Sequence, residues 1–295
     1  MASLRETRDR INSVRSTLKI TSAMKLVASA KLRKAQRAIE SLRPYERTLA
    51  EILAAVQAAA PSRAAARPDV HAAGNIGAAF SAVPAAKTAV VAVASNSSLC
   101  GGFNANVVRK ALETIRECEG EVEVYPIGRK MADGLRRAGY TAAGDWNDLI
   151  GHPAYDKSAD LARTLSDRFL AGELSRVVLV YTRFKSASSQ EPVAEEWLPF
   201  ATNEIPDQVG DDVKYILEPD AEALVAQLLP QVMLLKFHAA ILDSAAAEQA
   251  ARTIAMQTAT DNAEDLLGEL TLEYNKGRQQ KITAEILDLL GGSAQ

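Results

Sequence analysis

The chain has 295 residues, 47% of them hydrophobic but only 5% aromatic, with 34 basic against 37 acidic side chains and a formal net charge of −3. It exceeds one typical domain, and few aromatics with abundant alanine suit long helices with close seams better than one thick core. The near-neutral balance argues against bulk nucleic-acid binding. No uninterrupted apolar run approaches the roughly 18 residues of a spanning helix, and the start, MASLRETRDR, carries no signal-peptide core, so a cytoplasmic or peripheral protein is expected.

In chain order, Ser3 can cap a first helix with Glu6 three residues on. A heptad repeat follows. One set is Leu4, Ile11, Leu18, Leu32, Ile39 and Leu53; the other is Thr7, Val14, Thr21, Ala28, Ala35, Leu42, Leu49 and Val56. Lys25 and Glu46 interrupt this repeat, and Pro44 should bend the helix without ending it. Residues 1 to 47 hold twelve Lys and Arg against four acids, an excess of eight positive charges that something acidic should face.

Residues 58 to 87 are rich in Ala, Pro and Gly and read as a linker or insertion. From Ala89 the run AVVAVA suits a strand buried on both faces, followed by the turn SNSSLCGGFN and an amphipathic helix from about Asn104 to Cys118. A strand at VEVYPIG, helices over Arg129 to Arg137 and Asp156 to Leu170, and a strand over Arg176 to Thr182 come next, with weaker strands at Val193 to Leu198 and Val213 to Leu217. This alternation predicts an α/β domain with a largely parallel sheet over residues 88 to 218.

The remainder, 219 to 295, reads as one long helix from about Asp220, kinked near Pro230 and free of proline from Gln231 onward. Its apolar positions Met256, Ala263, Leu267, Leu270 and Tyr274 form a thin stripe with charge on both flanks, which is a coiled-coil seam rather than a broad core face. Two seams with no other partner of equal length predict an antiparallel hairpin of the N- and C-terminal helices, residues 1 to 57 and 219 to 295, with the α/β domain inserted between them. Leu18, Ala28 and Leu32 should face the 228 to 274 stretch. Residues 261 to 290 carry seven acids against three bases, opposite in sign to the first helix.

Motifs that tempt toward chemistry weigh little. LCGGFN has neither GxGxxG nor GxxxxGK[ST], so Gly101 and Gly102 are read as a tight strand-to-helix turn. Cys100 is read as a packed or turn cysteine, Cys118 as a small buried side chain, and the two as unbonded, being too few for a disulfide framework and not spaced for a metal site. Glu285 and Asp288, three apart on one helical face, suit a solvated surface or a binding contact alike. A basic coiled-coil module binding nucleic acid is the alternative reading, although the helix lacks interleaved aromatics to stack bases; small-molecule chemistry in the α/β domain would rest on LCGG alone.

Five segments together resemble the gamma-subunit family of F-type ATP synthases: Leu4 to Gln36, Arg43 to Tyr45, Leu99 to Asn104, Ala246 to Ala263 and Leu270 to Gly292. Asn96-Ser97-Ser98 stands where the family usually has Asp-Arg-Gly, and Gly292-Ser293 where it usually has Gly-Ala. The resemblance implies a central rotor shaft inside a ring of alpha and beta subunits, with the α/β domain at its foot near the epsilon subunit and the ring of membrane c subunits. It implies a non-catalytic subunit, peripheral on the cytoplasmic face of the bacterial inner membrane, with no catalytic, metal or cofactor site of its own. Met24, Lys25, Arg278, Gln279, Thr283, Glu285 and Asp288 are the positions it assigns to beta-subunit contact. Ala245 to Ala247 would then be small side chains slipping past a bearing.

Overall fold

The computed structural model describes residues 4–59, 87–200, 217–218 and 220–292. The expected Ser3 cap, most of the 58 to 87 insertion and most of the weak strand at 213 to 217 lie outside those residues. The elements are α1 (Leu4–Ala59), β1 (Lys87–Val93), α2 (Phe103–Glu117), β2 (Val122–Ile127), α3 (Arg129–Arg137), α4 (Asp148–Gly151), α5 (Tyr155–Leu170), β3 (Leu174–Phe184), β4 (Gln190–Leu198) and α6 (Ala221–Gly292). Pro44 and Pro230 lie inside α1 and α6 without ending either helix. The long antiparallel helix pair and the inserted α/β domain are both present; α4 is an addition, too short to leave a periodic signal.

Contacts divide the chain into two compact units, and the division falls inside both long helices. One unit is Met1–Ala30 with Arg252–Gln295, the other Lys31–Ala251.

In the first unit Leu4 lies against Gly277, Thr21 against Thr260 and Lys25 against Gln257. One set of numbers rises as the other falls, so the strands of this seam are antiparallel. Thr7, Ile11, Thr21 and Ala28 are buried on α1, and Met256, Thr260, Ala263 and Leu270 on α6. Those spacings of three, four and seven are the heptad seam, and Leu18 is half-buried on it. A Cβ on Gly277 would come within 3.1 Å of Leu4 Cδ2, so glycine there lets the helices close up. Two threonine hydroxyls take the place of apolar knobs. Thr260 Oγ1 lies 3.0 Å from Thr21 Oγ1 and 2.8 Å from Met256 O, and Thr21 Oγ1 lies 3.1 Å from Leu18 O. Two hydroxyl protons serve these three contacts.

The second unit centres on a four-stranded sheet of order β2-β1-β3-β4, parallel between β2, β1 and β3 and antiparallel at β4. β1 is buried on both faces, as its apolar run requires. Val90, Ala92, Val124, Val178 and Val180 pack beneath Val107, Ala111 and Ile115 of α2 and Met131 and Leu135 of α3. On the other face Ala89, Val91, Ile127, Val177 and Leu179 meet Leu161, Leu165 and Phe169 of α5, Leu49 and Leu53 of α1, and the 229 to 245 stretch of α6. Leu32 and Ile39 of α1 pack against Leu242, Ala246 and Ala250 of α6.

Two cross-links hold α6 to this core. Trp197 Nε1 donates to Met233 O at 3.0 Å, with its ring edge-on to Phe237 at 5.2 Å. Ser158 Oγ lies 2.8 Å from His238 Nδ1 and 2.8 Å from the Tyr155 carbonyl. A carbonyl only accepts and the hydroxyl has one proton, so both bonds form when Nδ1 carries the hydrogen. Burial holds the His238 pKa below its usual value, which keeps the ring neutral. α6 contains a window apolar and long enough to cross a bilayer by composition, but half of it is buried in the protein, as a core helix would be.

Candidate functional site

The residues expected to meet a beta subunit fall in two places of the first unit. Lys25 is half-buried and its Nζ donates to Gln257 Oε1 at 2.9 Å; Gln257 Nε2 in turn donates to Asp261 Oδ1 at 2.6 Å. The lysine that breaks the heptad is therefore held by a polar relay across the seam, with half-buried Met24 beside it. Arg278 lies 21 positions beyond Gln257 on α6. That is about 30 Å at 1.5 Å per residue, so the two groups do not form one site.

From Arg278 to Leu287 every side chain is exposed. Thr283 Oγ1 donates back to Gln279 O at 2.9 Å, so its hydroxyl is turned to the backbone. Lys281 Nζ lies 3.8 Å from Glu285 Oε1, an exposed pair one turn apart. Gln279, Gln280 and Thr283 line a shallow depression with Lys276, Ala284 and Leu287. Arg278 shares a helical face with Lys281, Ile282 and Glu285. The side chain of Asp288 lies outside the described residues. Sequence reasoning missed the apolar part of this segment: Ile282, Ile286 and Leu287 are 47%, 51% and 61% exposed. Their spacing continues no seam, and that break was the available signal.

The LCGG turn is a built part of the second unit. Asn96 Nδ2 donates to Asn147 O at 2.7 Å and its Oδ1 accepts from Arg129 N at 3.0 Å, so this residue ties the β1 loop to the start of α3. Gly101 has a left-handed φ of 57°, but so does Leu99 at 67°, while Gly102 is an ordinary right-handed residue. The tight turn is real, but only the first glycine supplies it. Cys100 is buried with its sulfur accepting from Asn104 Nδ2 at 3.1 Å; Cys118 is only half-buried, and both are free thiols.

The carboxyl ends of β1 and β3 mark the switch point where a doubly wound sheet takes ligands. Here Cys100 and Phe103 close on Ala247, with Phe184 and Ala251 packed around them. The chain's own helix fills the crevice. This corrects the bearing role expected of Ala245 to Ala247, which are at most 8% exposed. Their small size serves close packing of α6 inside this unit, not a sliding surface.

Comparison with known proteins agrees with this architecture. A profile described as ATP synthase matches residues 3–294. The ATP synthase gamma chain of Bacteroides fragilis is 46% identical over 99% of both chains, and that of Phocaeicola vulgatus 44% identical over 99% of both. The gamma chain of Dehalococcoides mccartyi is 38% identical, covering 100% of this chain and 99% of its own. Among solved structures, a chain of the Euglena gracilis mitochondrial ATP synthase (OSCP, F1 and c-ring) superposes with a TM-score of 0.61 at 18% identity, covering 99% of this chain and 93% of its own. A chain of the Tetrahymena thermophila central stalk and c-ring gives 0.55 at 24% identity, covering 81% and 99%. By full-length identity well above what chance allows, together with a shared helix pair and inserted sheet, this chain belongs to the ATP synthase gamma chain family.

Proposed function

We infer that this chain is the central-stalk rotor of a proton-translocating ATP synthase, coupling proton flow through the membrane sector to ATP synthesis or hydrolysis at the beta subunits. The observation that carries the reading is the antiparallel helix pair of the first unit, which ends in an exposed segment, 278 to 287. Two helices joined along a seam resist twisting better than one, and their exposed outer faces can turn within a ring. The partners on this reading are alpha and beta subunits around the helix pair, with the epsilon subunit and the c-ring at the α/β domain. The chain then sits peripherally on the cytoplasmic face of the bacterial inner membrane. The family relation disfavours the nucleic-acid alternative.

Within that role Arg278 and Gln279 hold a polar loop of a beta subunit, and Met24, Lys25, Thr283, Glu285 and Asp288 flank the contact. Arg offers a planar fork of donors and Gln both donor and acceptor. A charge-assisted contact of about 1.5–3 kcal/mol biases one rotor angle yet breaks under torque. The test is Arg278→Ala with Gln279→Ala in the reconstituted complex. Folding should change by less than about 0.5 kcal/mol, since both are exposed, while assembly or turnover falls. Unchanged ATP synthesis and hydrolysis with normal assembly would remove these residues from coupling.

A further inference from the structure

The second break in the α1 heptad, Glu46, opens onto a cavity of about 490 Å³ between α1, the sheet and α6. Ile39, Leu42, Arg43 and Glu46 line it from one face of α1, and Lys236, Ala239, Ala240 and Asp243 from one face of α6. β3 contributes Tyr181 and Arg183, and β4 contributes Glu195 and Glu196. The strand carboxylates are engaged: Glu195 pairs with Arg183 and accepts from Tyr181 Oη at 2.9 Å, and Glu196 pairs with Arg176 at 2.8 Å. Two further carboxylates face the cavity from opposed helices, Glu46 and Asp243, among the charges of Arg43, Arg183 and Lys236; Asp243 also accepts from the backbone N–H of Phe184. We propose that Glu46 and Asp243 form a proton-binding site that latches α1 to α6: a proton taken from solvent onto a carboxylate oxygen of Asp243 lets the two helix segments close, and its release loosens them.

The geometry is that of two acids sharing one partly dry space, where ionising both is costly. Burial pushes Asp243 up to about 6 from a usual 3.8, opposed by Arg43, Arg183 and the backbone N–H of Phe184, with the Glu46 charge raising it further. Burial likewise raises Glu46, against Lys236 and Arg43. A raised folded-state value means that protonation favours the closed form; the gain is complete below the unfolded value and is lost as pH rises through about 6. His238 faces α5 from another side of α6 and titrates in the opposite sense, so the assay compares variants rather than pH alone.

The experiment is hydrogen exchange on the full-length chain at pH 5 and 7.5, corrected for intrinsic rates, read over residues 39–46 and 236–243. Wild-type protection should be about tenfold higher at pH 5 than at pH 7.5, the factor that follows from the two titration values. Asp243→Asn should show the acid level of protection at both pH values. Glu46→Gln, which removes the neighbouring charge, should move the wild-type transition to lower pH. A wild type whose protection does not change, or an Asp243→Asn chain that keeps the full change, overturns the proposal. If Asp243→Asn does not fold, an unshifted transition in Glu46→Gln overturns it alone.

Discussion

The same two helices are buried on different terms in the two units. In the first, burial follows the heptad strictly: Thr7, Ile11, Thr21 and Ala28 are covered, and Ile20, Leu26 and Val27 on the other faces are 57–68% exposed. In the second, α6 is covered on nearly every side between Leu235 and Ala250, because a helix lies on one flank and a sheet on the other. A seam alone therefore leaves the outer faces of its helices exposed; a seam plus a sheet makes a core. The second unit should resist substitution less, since each large side chain there has more neighbours to lose.

Five substitutions grade this contrast. Phe237→Ala in the second unit removes a 1%-exposed ring that meets Trp197 edge-on. It should cost about 3–5 kcal/mol in denaturant unfolding. A cost under about 1 kcal/mol would show that this unit is no better packed than the seam. Ser158→Ala strands the His238 ring nitrogen in a buried site and should cost about 1–3 kcal/mol. Because burial lowers the folded pKa of His238, its contribution is present above the usual value of 6.5 and is lost as pH falls through the lower folded value. His238→Gln should flatten that part of the stability-versus-pH profile. In the first unit, Thr260→Val deletes one hydroxyl of the threonine pair while keeping its shape, for about 0.5–1.5 kcal/mol. Gly268→Ala, at a helical position with open space around it, should stabilise by about 1 kcal/mol in thermal unfolding. A loss there would mean that the seam depends on helix flexibility at that turn.

Most of the fold was legible because its signals are local. The 3.5-residue period marked the seam, and AVVAVA and RVVLVYT marked strands covered on both faces. What was not legible depended on partners. A run of three alanines reads the same whether it slides past another protein or packs against Cys100 and Phe103, because smallness records close approach and not the identity of the neighbour. Lys25 and Glu46 were visible as breaks in the repeat. Their roles, a relay through Gln257 and a wall of a charged cavity, needed the other helix in place. At the LCGG turn two glycines suggested two special backbone positions, yet the second left-handed residue is Leu99, a strain no local propensity announces.

The alanine stretch of α6 lodged between the loop after β1 and the end of β3 has a pharmacological meaning. In most sheets of this kind that cleft is vacant and a small molecule can compete for it with substrate. Here the competitor would be the chain's own helix, whose Ala247 and Ala251 pack against Cys100, Phe103 and Phe184, so the domain is keyed to its helix as a collar is to a splined rod. An inhibitor aimed at this place would have to act as a wedge, and its potency would track how readily the collar lets go.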